Sequence, residues 1–115
     1  MIYKQRQIYF FNLNPAKGTE PQKIRPCVIV SNNRFNHHYN TVWILPISSS
    51  PKYNTRIQYV KSPMFIPIKN SQVYGTILVQ HIRDVDPSWR RQGPCEGMIK
   101  VPKLKLIQKL IDVSI

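Results

Sequence analysis

Ten prolines spread over 115 residues keep the regular elements of this chain short. Proline has no backbone N–H to donate and a fixed φ, so it interrupts helices and is confined to the edges of sheets. The segments between the prolines are short, apolar and rich in β-branched and aromatic residues, as strands are. They predict strands at 8–13, 26–31, 41–47, 56–60, 76–80, 82–86 and 98–101, with an edge segment at 64–68.

A change of apolar spacing marks the end of this strand pattern. From residue 103 the apolar side chains recur at helical intervals and predict one helix over 103–113, with Pro102 suited to its first turn. The polar, basic stretch 32–40 is expected to be a loop, and Trp43, in mid-strand, to lie in the core. We therefore expect a mainly β chain, a small barrel with elaborated loops and a terminal helix, in a single domain over 1–115.

The charge is strongly positive, with 17 lysines and arginines, 5 aspartates and glutamates and a net charge of +12. An excess of this size attracts polyanions, which makes nucleic acid the first candidate partner and an anionic membrane surface or an acidic protein the alternatives. No run approaches the roughly 18 apolar residues of a membrane span, and the N-terminal residues lack the apolar segment of a secretory signal. We expect a cytoplasmic protein that does not enter a membrane.

The two cysteines, Cys27 and Cys95, are expected to be free thiols, since a cytoplasmic protein rarely carries a disulfide. Neither lies near a histidine at metal-ligand spacing, so we expect no metal ion and no other cofactor. Whether either thiol has a redox role is left open by the sequence.

Arg25 and Ser48 are the residues that point most directly to chemistry. Arg25 precedes a proline, which favours extended backbone, and it opens the apolar run 26–31. Ser48 follows the apolar run 41–47. If these two runs pair as antiparallel neighbours, the start of the first lies beside the end of the second. A guanidinium and a hydroxyl would then face one ligand, in an arrangement suited to holding a phosphate.

Five blocks of sequence, taken in order, carry a resemblance to a known family: 8–15, 18–20, 25–32, 46–48 and 80–86. With these blocks the chain resembles the MazF/PemK ribonuclease toxins of bacterial toxin–antitoxin pairs. The resemblance implies an SH3-like β-barrel of the CcdB/PemK type with a C-terminal helix, acting as a homodimer. It also implies metal-independent cleavage of single-stranded RNA, as an mRNA interferase, and inhibition by a cognate antitoxin, which the net charge of +12 suggests is acidic.

The same resemblance gives Arg25 as the catalytic arginine and Ser48 at a position where the family usually has threonine or serine. Metal-free cleavage uses the 2′-hydroxyl of the RNA as nucleophile and leaves a 2′,3′-cyclic phosphate and a 5′-hydroxyl. The matched blocks and the loop after Ser48 supply further residues that we expect to bind the substrate: Thr19, Glu20, Asn32, Lys52, Tyr53, Gln80 and His81.

The general base is not evident from the sequence. Arginine stays protonated up to a pKa above about 12, so Arg25 is a poor base. Glu20 lies in the loop expected to fold over the site, and His81 stands where many family members have glutamine. Histidine exchanges protons near neutral pH, but the sequence favours a structural hydrogen bond as the role of His81. Arg83, Asp84 and Asp86 are expected to form a charge cluster that fixes a turn.

Two other functions fit the same fold. A gyrase inhibitor of the CcdB type acts by binding and needs no catalytic pair, and a basic RNA-binding module needs only the positive surface. The pairing of Arg25 with Ser48 favours the ribonuclease. The RNA sequence that is cut, the physiological RNA target and the antitoxin family are not determined by the residues.

Overall fold

The structure, a computed structural model, describes residues 2–14, 23–70 and 72–114. Within these residues it contains seven strands, five helices and one short 3-10 turn. In chain order they are β1 Gln7–Asn12, β2 Ile24–Ile29, α1 Asn33–His38, β3 Val42–Ser48, α2 Lys52–Thr55, α3 Ile57–Val60, β4 Phe65–Lys69, β5 Tyr74–Leu78, the 3-10 turn Val79–His81, β6 Arg83–Val85, α4 Pro87–Arg90, β7 Arg91–Met98 and α5 Val101–Ser114.

All strand pairs are antiparallel, and the strands follow the order β4-β5-β3-β2-β1-β7, with β6 paired to the first half of β3. β4 and β7 stand at the two ends of this order, so in the described part of the chain the sheet is barrel-like but not closed. The predicted mainly β fold with a C-terminal helix is confirmed. The proline-flanked segment at 64–68 is an edge strand, as predicted.

The central strands are buried on both faces because alternate residues face two separate apolar clusters. One face packs against α5 and includes Ile8, Val28, Leu45, Ile47, Ile77, Leu104 and Ile107. The other face includes Tyr9, Phe11, Leu13, Cys27, Ile29, Val42, Ile44 and Val85, with Tyr3 against them. A strand residue of odd number in β2, or of even number in β3, therefore belongs to the second face.

The prediction of a strand at 56–60 is wrong, since this segment forms α3, which follows directly after α2. Its alternation of polar and apolar residues resembles a strand, yet Ile57 and Val60 are exposed. The side chain that anchors the segment is Tyr59, which packs edge-on against Tyr53 and Phe65. Packing of the two tyrosines on β4 decides the local structure here and outweighs the weak strand propensity of the segment.

Two other predictions are corrected in the same way. The stretch 32–40 contains α1, which begins where the side chain of Asn32 accepts a hydrogen bond from the N–H of Phe35 at 2.8 Å. Such an N-cap satisfies a backbone donor that a helix otherwise leaves free. Trp43 is not a core residue, because its side chain is 41% exposed and lies against Phe35.

The last strand is β7, which lies upstream of the predicted segment 98–101 and includes Pro94. Proline is tolerated there because β7 is at the end of the strand order, where one side has no partner strand among the described residues. The predicted terminal helix is confirmed as α5. No helix in the described residues has both the length and the apolar composition that crossing a bilayer requires.

Candidate active site

The register of β2 and β3 brings Arg25 and Ser48 together. These strands are antiparallel neighbours in which Cys27 stands opposite Pro46 and Val28 opposite Leu45. Continuing this register by two residues places Arg25 opposite Ser48. The predicted pairing of the two strands is therefore confirmed, and the start of β2 lies beside the end of β3.

The row of opposed residues extends further across the sheet. Ser48 stands opposite Thr76 of β5, and Thr76 stands opposite Pro67 of β4. On the other side, Arg25 stands opposite Phe11 of β1. Directly opposed residues point to the same face of a sheet, so Arg25, Ser48 and Thr76 share the face that carries Phe11.

Ser48 is held firmly in this row. Only 6% of the residue is exposed, and its Oγ accepts a hydrogen bond from the N–H of Ser50 at 3.2 Å. A hydroxyl that accepts one hydrogen bond still has its own proton to donate and a second lone pair. Ser48 is thus able to donate to an oxygen of a ligand that lies beside Arg25.

A second arginine, Arg83, lies on the same face of the sheet as Arg25. Burial raises the pKa of the Cys27 thiol, and the positive charges of Arg25 and Arg83 partly oppose that rise. Arg83 pairs with Ile44 in the ladder of β3 and β6, and its Nη1 donates to the carbonyl of Leu13 at 2.8 Å. The sequence analysis placed Arg83 in a turn and missed it as a site residue.

The predicted turn-forming role belongs to Asp86 in particular. It is the N-cap of α4 and accepts hydrogen bonds from the N–H and the Oγ of Ser88, at 3.0 Å and 2.6 Å. Strand periodicity distinguishes Arg83 from Asp86. Arg83 is two residues before Val85 and so lies on the same face of the sheet, the face that carries Phe11 and Cys27.

Gln80 and His81 form the 3-10 turn after β5, and this turn contacts β3. His81 is half-buried. Gln80 is exposed and lines a mostly apolar cavity of about 690 Å³ together with Trp43 and Met64. The two neighbours in sequence therefore differ in their surroundings, and Gln80 belongs to that cavity.

Lys52 and Tyr53 lie on α2, four and five residues after Ser48. Tyr53 is stacked on Phe65, with ring centroids 5.2 Å apart and an angle of 18° between the planes. The Nζ of Lys52 lies 5.0 Å from the centroid of the Tyr53 ring, which is within the range of a cation–π contact. Phe65 stands opposite Leu78, two residues along β5 from Thr76, so this aromatic group borders the Arg25–Ser48 row.

Asn32 is not brought to the same place. It lies beyond the far end of β2, seven residues from Arg25, which corresponds to roughly 23 Å along a strand. Its side chain caps α1. Thr19 and Glu20 lie outside the described residues.

The backbone on both sides of the segment 15–22 is tied down next to Arg25. The N–H of Leu13 donates to the carbonyl of Lys23 at 3.0 Å, and the N–H of Lys23 donates to Oδ1 of Asn14 at 3.1 Å. Arg90 adds hydrogen bonds to the carbonyls of Asn12 and Asn14, at 3.0 Å and 2.6 Å. Lys23 has a φ of +68°, a left-handed conformation that favours glycine, two residues before Arg25.

Comparison with known proteins identifies the family. A sequence model of the PemK-like, MazF-like toxins of type II toxin–antitoxin systems matches residues 4–114. The match covers nearly the whole chain, and the chain belongs to this family of toxins.

Relatives of known name and structure support the assignment. Endoribonuclease MazF of Staphylococcus saprophyticus is 27% identical over 118 residues, covering 99% of this chain and 92% of that protein. Endoribonuclease EndoA of Bacillus subtilis is 30% identical over 91 residues, 75% of this chain and 72% of that protein. The fold matches the crystal structure of MazF from Deinococcus radiodurans with a TM-score of 0.79 at 17% identity, covering 99% of this chain and 96% of that one.

A mycobacterial endoribonuclease, whose structure is known in complex with its cognate antitoxin, has the same fold. Its TM-score is 0.72 at 18% identity, and the match covers 97% of this chain and 93% of that one.

Proposed function

We propose that this protein is the endoribonuclease toxin of a type II toxin–antitoxin pair and that Arg25 and Ser48 form the centre at which it cuts single-stranded RNA. The observation that carries the proposal is the register that sets the two side chains opposite each other on one face of the sheet. The same face holds a second arginine, Arg83, so the site combines positive charge with a hydroxyl donor.

The chemistry follows from what these groups can donate. The 2′-hydroxyl attacks the adjacent phosphorus and the bond to the 5′-oxygen breaks, leaving a 2′,3′-cyclic phosphate and a 5′-hydroxyl. Arg25 offers paired N–H donors to the non-bridging oxygens, where negative charge increases in the transition state. Ser48 donates a hydrogen bond to the same phosphate and orients it. Neither role requires a metal ion.

Another group must accept the proton of the 2′-hydroxyl, since Arg25 remains protonated. His81 and Glu20 are the two candidates. Histidine is the side chain suited to proton transfer near neutral pH, and His81 lies in the turn that contacts β3. In His81→Gln the pH–rate profile then loses its limb near neutral pH, whereas an unchanged profile and rate would remove His81 from the mechanism and leave Glu20.

The substrate and the inhibitor use the same positive surface in this proposal. Lys52 follows the RNA backbone, and when its Nζ leaves the Tyr53 ring for a phosphate, a base stacks on the ring face opposite Phe65. The toxin acts as a homodimer in the cytoplasm, and an acidic segment of the cognate antitoxin covers the RNA-binding groove. A net charge of +12 attracts such a segment and the RNA alike.

The decisive experiment incubates single-stranded RNA with the purified protein and excess EDTA. We expect cleavage to persist in EDTA, with products that end in a cyclic phosphate. Arg25→Ala lowers kcat by at least about 100-fold, and Ser48→Ala by about 10- to 100-fold, because each removes a donor to the reacting phosphate. Arg25→Lys restores little activity, since an ammonium lacks the paired donors.

Ser49→Ala is the matched control, because Ser49 is the exposed neighbour of Ser48 and lies beyond the end of β3. It should cleave RNA at the parent rate. Cleavage that requires an added metal ion, or that survives Arg25→Ala, would overturn the proposed centre. A parent protein that cuts no RNA but inhibits DNA gyrase would be an inhibitor of the CcdB type instead.

A further inference from the structure

Thr76 carries the one buried side-chain polar atom that lacks a hydrogen-bond partner in the described part of the chain. The residue is 1% exposed, and its Oγ1 neither donates nor accepts a hydrogen bond. Burying a hydroxyl without a partner lowers stability, and a valine of the same shape would avoid that cost. A threonine at this position therefore needs an explanation beyond packing.

The place of Thr76 in the sheet supplies one. Thr76 stands directly opposite Ser48 and on the same face as Arg25. Side chains in such pairs have Cβ atoms about 4.5 to 5.5 Å apart, close enough for a hydrogen bond between a threonine and a serine. The strands are pressed together here, because a Cβ on Gly75 would lie only 2.4 Å from the carbonyl oxygen of Ser48.

The hydroxyl of Thr76 has no access to the substrate, since its oxygen is buried from solvent. It can act only through a neighbour. Ser48 has a lone pair left after accepting the hydrogen bond from Ser50. A donor at that lone pair fixes the rotation of the Ser48 hydroxyl and directs its proton away from Thr76, towards a ligand at Arg25.

On the basis of the proposed cleavage centre, we infer that Thr76 is a positioning residue for Ser48. Its hydroxyl donates to Oγ of Ser48 when RNA binds, so that Ser48 donates to the scissile phosphate with the correct geometry. Hydrogen bonds of this kind are commonly long in the free enzyme and shorten in the complex with substrate. The unpaired hydroxyl of Thr76 thus lowers the stability of the free protein but raises the rate of cleavage.

The test compares Thr76→Val, which keeps the shape and removes the hydroxyl, with Thr76→Ser, which keeps the hydroxyl. We expect Thr76→Val to unfold at a temperature equal to or above that of the parent, with kcat reduced by about 3- to 10-fold, as the loss of one neutral hydrogen bond gives, and KM changed by less than about twofold. Thr76→Ser should retain the kcat of the parent.

Thr41→Val is the matched control. Thr41 immediately precedes β3, whereas Ser48 is the last residue of β3, so Thr41 is not part of the site. It should leave kcat unchanged. Single-turnover rates with excess enzyme add a second criterion: Thr76→Val in a Ser48→Ala background should cause less than about a twofold further loss, since the role of Thr76 depends on Ser48.

Three results would overturn the inference. They are an unchanged kcat in Thr76→Val, an equal loss of kcat in Thr76→Val and Thr76→Ser, and a loss in the Ser48→Ala background as large as in the parent. Failure of the cleavage centre itself looks different, because Arg25→Ala and Ser48→Ala would then cut RNA at the parent rate.

Discussion

At the scale of single residues, Gly75 and Gly93 differ in one respect. Both have a backbone conformation that favours glycine, but only Gly75 also lies in close contact with another strand. Gly75 has a φ of +146° and lies against the carbonyl of Ser48, whereas Gly93 has a φ of +82° and open space around it. Both conformations disfavour any other residue. Only Gly75 is also required by a close approach of two backbones, and that approach positions Ser48.

Gly75→Ala should therefore lower the free energy of unfolding by about 2 to 3 kcal/mol and abolish most RNA cleavage, because the new methyl group displaces Ser48. Gly93→Ala should cost about 1 kcal/mol and leave the rate of cleavage at the parent level. Urea unfolding and RNA cleavage assays measure the two effects. Equal losses of activity in both variants would contradict the role of the close approach.

Cys27 gives a prediction about alkaline pH. Burial raises the pKa of its thiol in the folded state above that in the unfolded chain. Above about pH 9 the unfolded chain releases this proton while the folded protein keeps it, so stability falls as pH rises. Below that pH both states hold the proton and the effect vanishes.

Urea unfolding between about pH 8 and pH 10.5 tests this. In Cys27→Ala the loss of stability per pH unit should be smaller than in the parent, by up to about 1.4 kcal/mol. Val28→Ala also empties space in a buried strand but removes no titratable group, so it controls for the cavity. A pH dependence that is the same in Cys27→Ala and the parent would show that another group is responsible.

At the scale of elements, the short helices depend on single side chains at their ends. α1 has six residues, too few to be stable alone, and Asn32 begins it by accepting the N–H of Phe35. The sequence predicted a substrate-binding role for the same residue. Capping the helix requires a side-chain oxygen at residue 32, whereas binding RNA is also sensitive to the charge of the side chain. Substitutions of Asn32 can therefore separate the two roles.

We expect Asn32→Ala to lower stability by about 1 kcal/mol and Asn32→Asp to preserve it, because aspartate caps a helix as well as asparagine does. If Asn32 acts only as a cap, both variants keep the KM of the parent for RNA. If it also binds RNA, Asn32→Asp raises KM without loss of stability, since it brings a negative charge to the phosphates. Thermal unfolding and steady-state kinetics distinguish the two cases.

At the scale of the whole molecule, the net charge of +12 is the dominant property. Neutralising phosphates with lysine and arginine releases counterions, which makes binding of nucleic acid depend steeply on salt. The described site contains Arg25 and Arg83, with Lys52 at its border. These cations are expected to act on the RNA directly, and the remaining positive surface to raise its local concentration.

We expect kcat/KM for RNA cleavage to fall by about tenfold or more between about 50 and 200 mM salt, as roughly three neutralised phosphates give on a single strand. Lys52→Gln should reduce the slope against the logarithm of salt concentration by about 0.7. Lys105→Gln, on the exposed side of α5, should leave that slope unchanged. Equal effects of the two substitutions would mean that no particular lysine follows the RNA.

The sequence predicted Arg25 and Ser48 as neighbours because antiparallel pairing is regular. Once the runs 26–31 and 41–47 are paired, the start of the first must lie beside the end of the second. It predicted the terminal helix because the apolar residues after residue 103 recur at helical intervals. It was wrong about Trp43, which lies in a strand as predicted but is partly exposed to solvent. It was also wrong about 56–60, where the local pattern is that of a strand but packing of Tyr59 on Tyr53 holds a helical turn. Thr76 was missed because a hydroxyl without a partner is defined by groups distant in the chain.

The sequence by itself determined the family, through the resemblance of five blocks in order. It also determined most of the short strands and the two residues that define the candidate site, since these depend on local periodicity and residue type. The tertiary structure alone decided that Arg83 shares a face of the sheet with Arg25, that Gly75 lies against the carbonyl of Ser48 and that Thr76 lies buried opposite Ser48. These are contacts between strands far apart in the chain. Their distances are fixed only when the apolar clusters on both faces of the sheet have packed.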